Sequence, residues 1–132
     1  MEAAAAPEIT VMMRRMLGAG DYFTRVHAIV YLAARNDTQS LSAIRILLQG
    51  EMIGERQAAA RAVAAMNDSE AVPFLIRLLG DSNPHGRIAA AEALAALRAQ
   101  DALPALEAAV AADTSWARPQ LEKALAALKG VP

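Results

Sequence analysis

Apolar positions along this chain fall into short helical stripes broken at regular intervals. Between Ser69 and Leu79, the residues Val72, Leu75, Ile76, Leu78 and Leu79 make a stripe of helical period. Asp68 stands where a helix cap belongs. The run Gly80-Asp81-Ser82-Asn83-Pro84 then breaks the helix. Asn83 is placed as an N-cap, and Pro84 falls at the first helical position, where its missing N–H costs nothing. A second helix follows, in which Leu94 and Leu97 stand out among alanines. Small side chains let two helix backbones approach closely, so the unit is a helical hairpin with a thin core.

The unit recurs before and after itself at a spacing of about 31 residues. Arg87 aligns with Arg25, Arg56 and Arg118, and Leu94 with Leu32, Val63 and Leu125. Leu79 aligns with Leu17, Leu48 and Val110, and Leu75 with Met13, Ile44 and Leu106. Agreement of four columns across four copies predicts four hairpins, at about 7–36, 37–67, 68–99 and 100–130.

The first hairpin departs from the others in polarity. After a frayed lead at residues 1 to 6, its helices carry Ile9, Met12, Met13, Met16, Leu17, Tyr22, Phe23, Val26 and Ile29. Terminal repeats usually show a polar outer face. Either these side chains fill space beside an absent neighbour, as adaptable methionines do, or Met12, Met16, Tyr22 and Phe23 form a face for a partner or a second copy. Asn36-Asp37 and Asn67-Asp68 turn the chain and cap the next helix. Met52 and Ile53, in an unusually apolar turn, are expected to pack under their hairpin. Asp101 is expected to cap the seventh helix, which runs to about Ala112. The last helix is expected to open near Trp116, with Pro119 in its first turn. Gln120, Glu122, Lys123 and Lys129 make this the polar, capping end.

Composition narrows the function classes. The 132 residues are enough for one domain made of these hairpins. There is no cysteine, hence no disulfide, thiolate nucleophile or Cys-ligated metal. A net charge of −1 and a pI near 6.1 give no bulk attraction to nucleic acid or to an anionic membrane. Met1 to Ala6 lacks the basic start of a signal peptide, and no apolar run is long enough to span a bilayer. A soluble cytoplasmic protein is expected.

The paired helices, the early proline of the first helix (Pro73, Pro104), the turn Asp81, and Arg87 followed by Ala90, Ala91, Ala93 and Leu94 resemble HEAT repeats of the short phycobilisome-lyase-like type. The resemblance implies an all-α, right-handed α-α superhelix of four hairpins and about eight helices. It also implies a ladder in which the turn Asp pairs with the Arg. Only Asp81 and Arg87 keep that six-residue spacing, since Ala19, Gly50 and Ala112 occupy the equivalent turns and Asp21 and Asp113 are displaced. The ladder is therefore expected to be discontinuous.

The resemblance is specific for fold and poor for function. His27 and His85 fall in different repeat columns and are followed by Ala28 and Gly86, rather than by the Glu that two-iron hydroxylases of this fold use. No phosphate loop, nucleophile elbow or carboxylate pair stands out, so no metal, cofactor or catalytic group is expected. In such arrays the second helices line the concave side. With Ala90, Ala91, Ala93, Leu94 and Leu97 in the core, the outward rows read His27-Ala58-Ala89-Gln120, Val30-Arg61-Glu92-Lys123 and Ala34-Ala65-Ala96-Ala127. The expected partner-binding residues are His27, Val30, Tyr31, Arg61, Glu92, Gln120 and Lys123. A protein-interaction adaptor, with a homodimer through the first repeat as one form, is the leading expectation. The alternative is a bilin-lyase-like subunit in which Arg61, His27 and Tyr31 meet a tetrapyrrole. Nucleic-acid binding is disfavoured by Glu92 in the middle of that face.

Overall fold

The computed structural model describes residues 7–131, so the lead expected at residues 1 to 6 lies outside it. Among the described residues there are eight α-helices and no strand: α1 (Pro7–Met16), α2 (Tyr22–Ala34), α3 (Leu41–Leu47), α4 (Ile53–Ala65), α5 (Val72–Leu78), α6 (Pro84–Ala96), α7 (Leu103–Ala112) and α8 (Arg118–Lys129). Single 3-10 turns at Thr38–Ser40, Ser69–Ala71 and Gln100–Ala102 lead into α3, α5 and α7.

Each of the first three hairpins hands over to the next through one turn. The N–H groups of Asp37, Asp68 and Ala99 donate to the carbonyls of Leu32, Val63 and Leu94, at 3.0, 2.9 and 3.1 Å. These are the six-to-one bonds of Schellman caps, which require a left-handed residue just before the donor. Asn36, Asn67 and Arg98 take that place, with φ of 51°, 54° and 54°. Asparagine accepts this conformation readily, whereas Arg98 holds it at a cost of about 1 kcal/mol. Several expected caps differ in detail. Asn83 caps α6 by accepting the His85 N–H, and Asp68 accepts that of Glu70. Asp37 and Asp101 make no capping bond. Asp37 is drawn off by an arginine, and Asp101 sits inside the 3-10 turn, two positions past its cap residue Ala99.

The helices form two layers. Within each hairpin the two helices pack together, and across hairpins α2, α4, α6 and α8 pack in succession, while first helices of neighbouring hairpins barely touch. Alanine makes this possible: Ala28, Ala59 and Ala90 are wholly buried in one column, with Leu121 completing it. Closer spacing in the second-helix layer curves the array toward that side. Met52 does not pack under its hairpin as expected; it is exposed and Ile53 half-buried. Leu97 is likewise only half-buried, because it lies past the end of α6 as its C-cap.

Two seams of ion pairs stitch the hairpins together, and they correct the expectation of a discontinuous ladder. In the inner seam Arg25 pairs with Glu55 at 2.8 Å, Arg56 with Asp81 at 3.1 Å, and Arg87 with Asp113 at 2.9 Å. Each arginine also donates to a turn carbonyl of its own hairpin, those of Ala19, Gly50 and Asp81. Arg87 thus meets Asp81 only through the backbone oxygen, and the Asp81 carboxylate serves Arg56. In the outer seam Arg14 pairs with Asp37 at 2.6 Å and Arg45 with Asp68 at 2.7 Å. The pattern stops there, since Ile76 and Ala99 occupy the next pair of equivalent positions.

The carboxylates in the seams are buried and satisfied. Glu55, Asp68 and Asp113 are the buried acids of the described chain, and no buried side-chain polar atom among the described residues lacks a partner. The arginine partners of Asp37 and Glu55, Arg14 and Arg25, hold those carboxyls below the usual range. Asp113 is held down to about 2 by the Ser115 hydroxyl and backbone N–H, with Arg87 contributing further.

Candidate functional site

Because the second helices are packed side by side, equivalent residues on them form rows that run across the array. Two rows are exposed from end to end: Val30-Arg61-Glu92-Lys123, and the alanines Ala34-Ala65-Ala96-Ala127. The third expected row is not continuous. His27 and Gln120 are exposed at its ends, but Ala58 is half-buried and Ala89 buried, as helix contact tightens through the middle of the array.

Val30 and Arg61 border a groove of about 420 Å³ between α2 and α4, with Val26, Ala33, Ala58 and Ala65 along its walls. Gly54, in the first turn of α4, keeps one end of the groove open and receives the Tyr22 hydroxyl; a Cβ there would overlap it. Tyr31 is not part of this surface. Its column is buried in later hairpins as Ala62, Ala93 and Ala124, and its ring is covered by the Arg35 guanidinium at 3.6 Å. A larger depression of about 640 Å³ lies by Arg87 and Asp113, but the charged groups there are engaged with each other.

The charges of the exposed row are unspent. The arginines of both seams are paired, whereas Arg61, Glu92 and Lys123 make no hydrogen bond or ion pair among the described residues. Their own helices offer no opposite charge one turn away: Gln57 and Ala65 flank Arg61, Ile88 and Ala96 flank Glu92, and Pro119 and Ala127 flank Lys123.

At the first hairpin, Met12 and Phe23 are exposed, Phe23 at 76 %, together with Ile9 and Val11. Met16 and Tyr22 are half-buried, Met16 against the core and Tyr22 against Gly54, so the four do not form one open patch. His85 lies in the first turn of α6, exposed, with its ring 5.0 Å from that of Trp116, itself 60 % exposed. His27 is on α2, and no group of three or more His, Asp or Glu side chains able to hold a metal occurs among the described residues. No helix of the described chain is long and apolar enough to cross a membrane.

A family profile for HEAT repeats matches residues 44–126. The chain belongs to the HEAT-repeat family. Its hairpins are of the short phycobilisome-lyase-like kind, and the fold is the right-handed α-α superhelix. The complex of CpcE and CpcF of phycocyanin lyase from Nostoc sp. PCC7120 has a similar structure, with a TM-score of 0.77 and 26 % identity over 92 % of this chain and 53 % of that one. Human deoxyhypusine hydroxylase, in complex with glycerol, is similar in fold, with a TM-score of 0.78 and 19 % identity over 93 % of this HEAT chain and 44 % of that one. The chain therefore spans about half the length of either. Among curated proteins no sequence match is found.

Proposed function

We propose that this HEAT-repeat chain is a non-catalytic, cytoplasmic, single-domain scaffold that binds a partner protein through its second-helix face. One observation carries the reading: two rows of side chains stay exposed across all four second helices, and the charges in one of them have no partner among the described residues. Solenoid curvature turns such rows into an extended binding surface, and the Nostoc neighbour is itself a complex of two proteins.

The test is affinity capture of the tagged protein from its host, with quantitative mass spectrometry. Ala65→Trp places a bulky group on the exposed alanine row without touching the core. A partner held by the wild type is expected to fall at least about tenfold with Ala65→Trp and to persist with Phe23→Ser. The opposite pattern would move binding to the first hairpin.

The likeness to a phycocyanin lyase structure supports a second reading, a tetrapyrrole-handling subunit. Of the three residues expected to serve it, His27 and Arg61 are exposed and Tyr31 is covered by Arg35. Titration with a free bilin should shift the visible absorbance of the pigment if this holds; an unchanged spectrum removes it.

A further inference from the structure

We infer that the partner segment is an amphipathic α-helix that lies across the second helices with its charges in a set order: an apolar residue, an acid one turn on, a base two turns beyond, and an acid two turns beyond that. The inference rests on the scaffold reading and specifies its ligand.

The geometry follows from spacing. Packed helices stand about 8–10 Å apart, so Val30, Arg61, Glu92 and Lys123 present an apolar, a positive, a negative and a positive group at roughly that interval. Two turns of an α-helix rise about 10.5 Å over seven residues and return to nearly the same face. A helix laid along the row thus meets successive second helices with every seventh side chain. An acid opposite Arg61, a base opposite Glu92 and an acid opposite Lys123 complement three charges that have no partner among the described residues.

The groove fixes the apolar position. It lies between α2 and α4, on the Val30 side of Arg61. A large aliphatic side chain one turn before the first acid, about 6 Å back along the helix, falls into it. The neighbouring row, alanine on all four second helices, leaves room for a helix backbone to come close. Arg61 and Glu92 do not pair across the row, nor do Glu92 and Lys123, so an incoming helix breaks no ion pair.

Two synthetic, capped alanine–glutamine helices test this. One carries leucine, glutamate, lysine and glutamate at the stated intervals, and the other reverses the three charges. Fluorescence anisotropy at low salt is expected to show the first binding at least about tenfold tighter, with the preference weakened by added salt. The charge-swapped variant, Arg61→Glu with Glu92→Lys and Lys123→Glu, all at exposed sites, is expected to invert the preference. Equal affinity of the two peptides, no saturation by either at millimolar concentration, or an unchanged preference in the swapped variant would overturn the inference. Host-partner capture separates the two levels. A partner lost with Ala65→Trp but kept by the swapped variant leaves the scaffold reading standing and removes the charge order.

Discussion

Glu55→Gln is expected to destabilise the fold by about 3 kcal/mol in chemical denaturation, and moving the acid to the other side of the same turn, with glycine left at position 55, is expected to restore part of what losing the acid costs. Glu55 is 2 % exposed and Arg25, its partner, 16 %. Removing one member of such a pair leaves the other charge buried and uncompensated, the costliest way to break an ion pair. The effect should depend on pH. Arg25 holds the Glu55 carboxyl below the usual range, with a Met52 backbone hydrogen bond helping. A depressed carboxylate adds stability that is fully present above its unfolded pKa and is lost as pH falls through the folded one. The gap between wild type and variant therefore narrows in acid.

Recovery is expected because the carboxylate reaches the seam from either of two places. In the second hairpin the turn position is Gly50 and the helix supplies Glu55; in the third the turn supplies Asp81 and the helix position is Gly86. A Cβ on Gly50 would stand 2.7 Å from Glu55 Oε2, and one on Gly86 would overlap the Asp81 carboxylate. Each glycine is the space that the other side's acid occupies. Gly50→Asp with Glu55→Gly rebuilds the third hairpin's arrangement in the second. The pair should be more stable than Glu55→Gly alone by about 1–2 kcal/mol, while Gly50→Asp in the presence of Glu55 should destabilise. Simple additivity would show that the two acids are not equivalent.

Gly86→Ala should cost about 2 kcal/mol although alanine is the better helix former by about 1 kcal/mol. The new methyl displaces the Asp81 carboxylate, which stands 3.1 Å from Arg56. In an Asp81→Gly background the nearest obstacles to that methyl are gone, and the same change should stabilise. This reversal of sign, measured by urea unfolding of the four proteins, distinguishes a steric exchange from a general intolerance of side chains. Destabilisation in both backgrounds would rule the exchange out. The fourth hairpin shows how a side chain fits here: its acid, Asp113, lies one position later than the column, and Ala117 fills the helix site, wholly buried.

The same residues explain what could be read from the chain beforehand. Leu94 and its column repeat because burial fixes size and polarity at one place, so the period, the hairpins and the alanine contact were legible. The inner seam was not, because electrostatics fixes where a carboxylate ends up and leaves open which backbone position sends it. Comparing columns sees Gly50 and misses Glu55. The outer seam keeps strict spacing, Arg14 with Arg45 and Asp37 with Asp68, and a search for paired charges between hairpins would have found it. On the second-helix face His27 and Gln120 matched the exposed pattern, but Ala89 and Tyr31 departed from it, since packing tightens in the middle of the array and opens at its end. The identity of a partner has no such trace, because exposed rows are free of packing constraints.

The lapse of the outer seam at Ile76 and Ala99 gives the array a mechanical asymmetry. Its first two joints on that side are pinned by directional charge pairs, which resist sliding and respond to ionic strength. At the third joint Ile76 and Ala99 stand in those places, so that side carries no charge pair there. Between the third and fourth hairpins the ion pair among the described residues is that of Arg87 with Asp113, so the salt sensitivity of that joint rests on one seam where the first two joints have two.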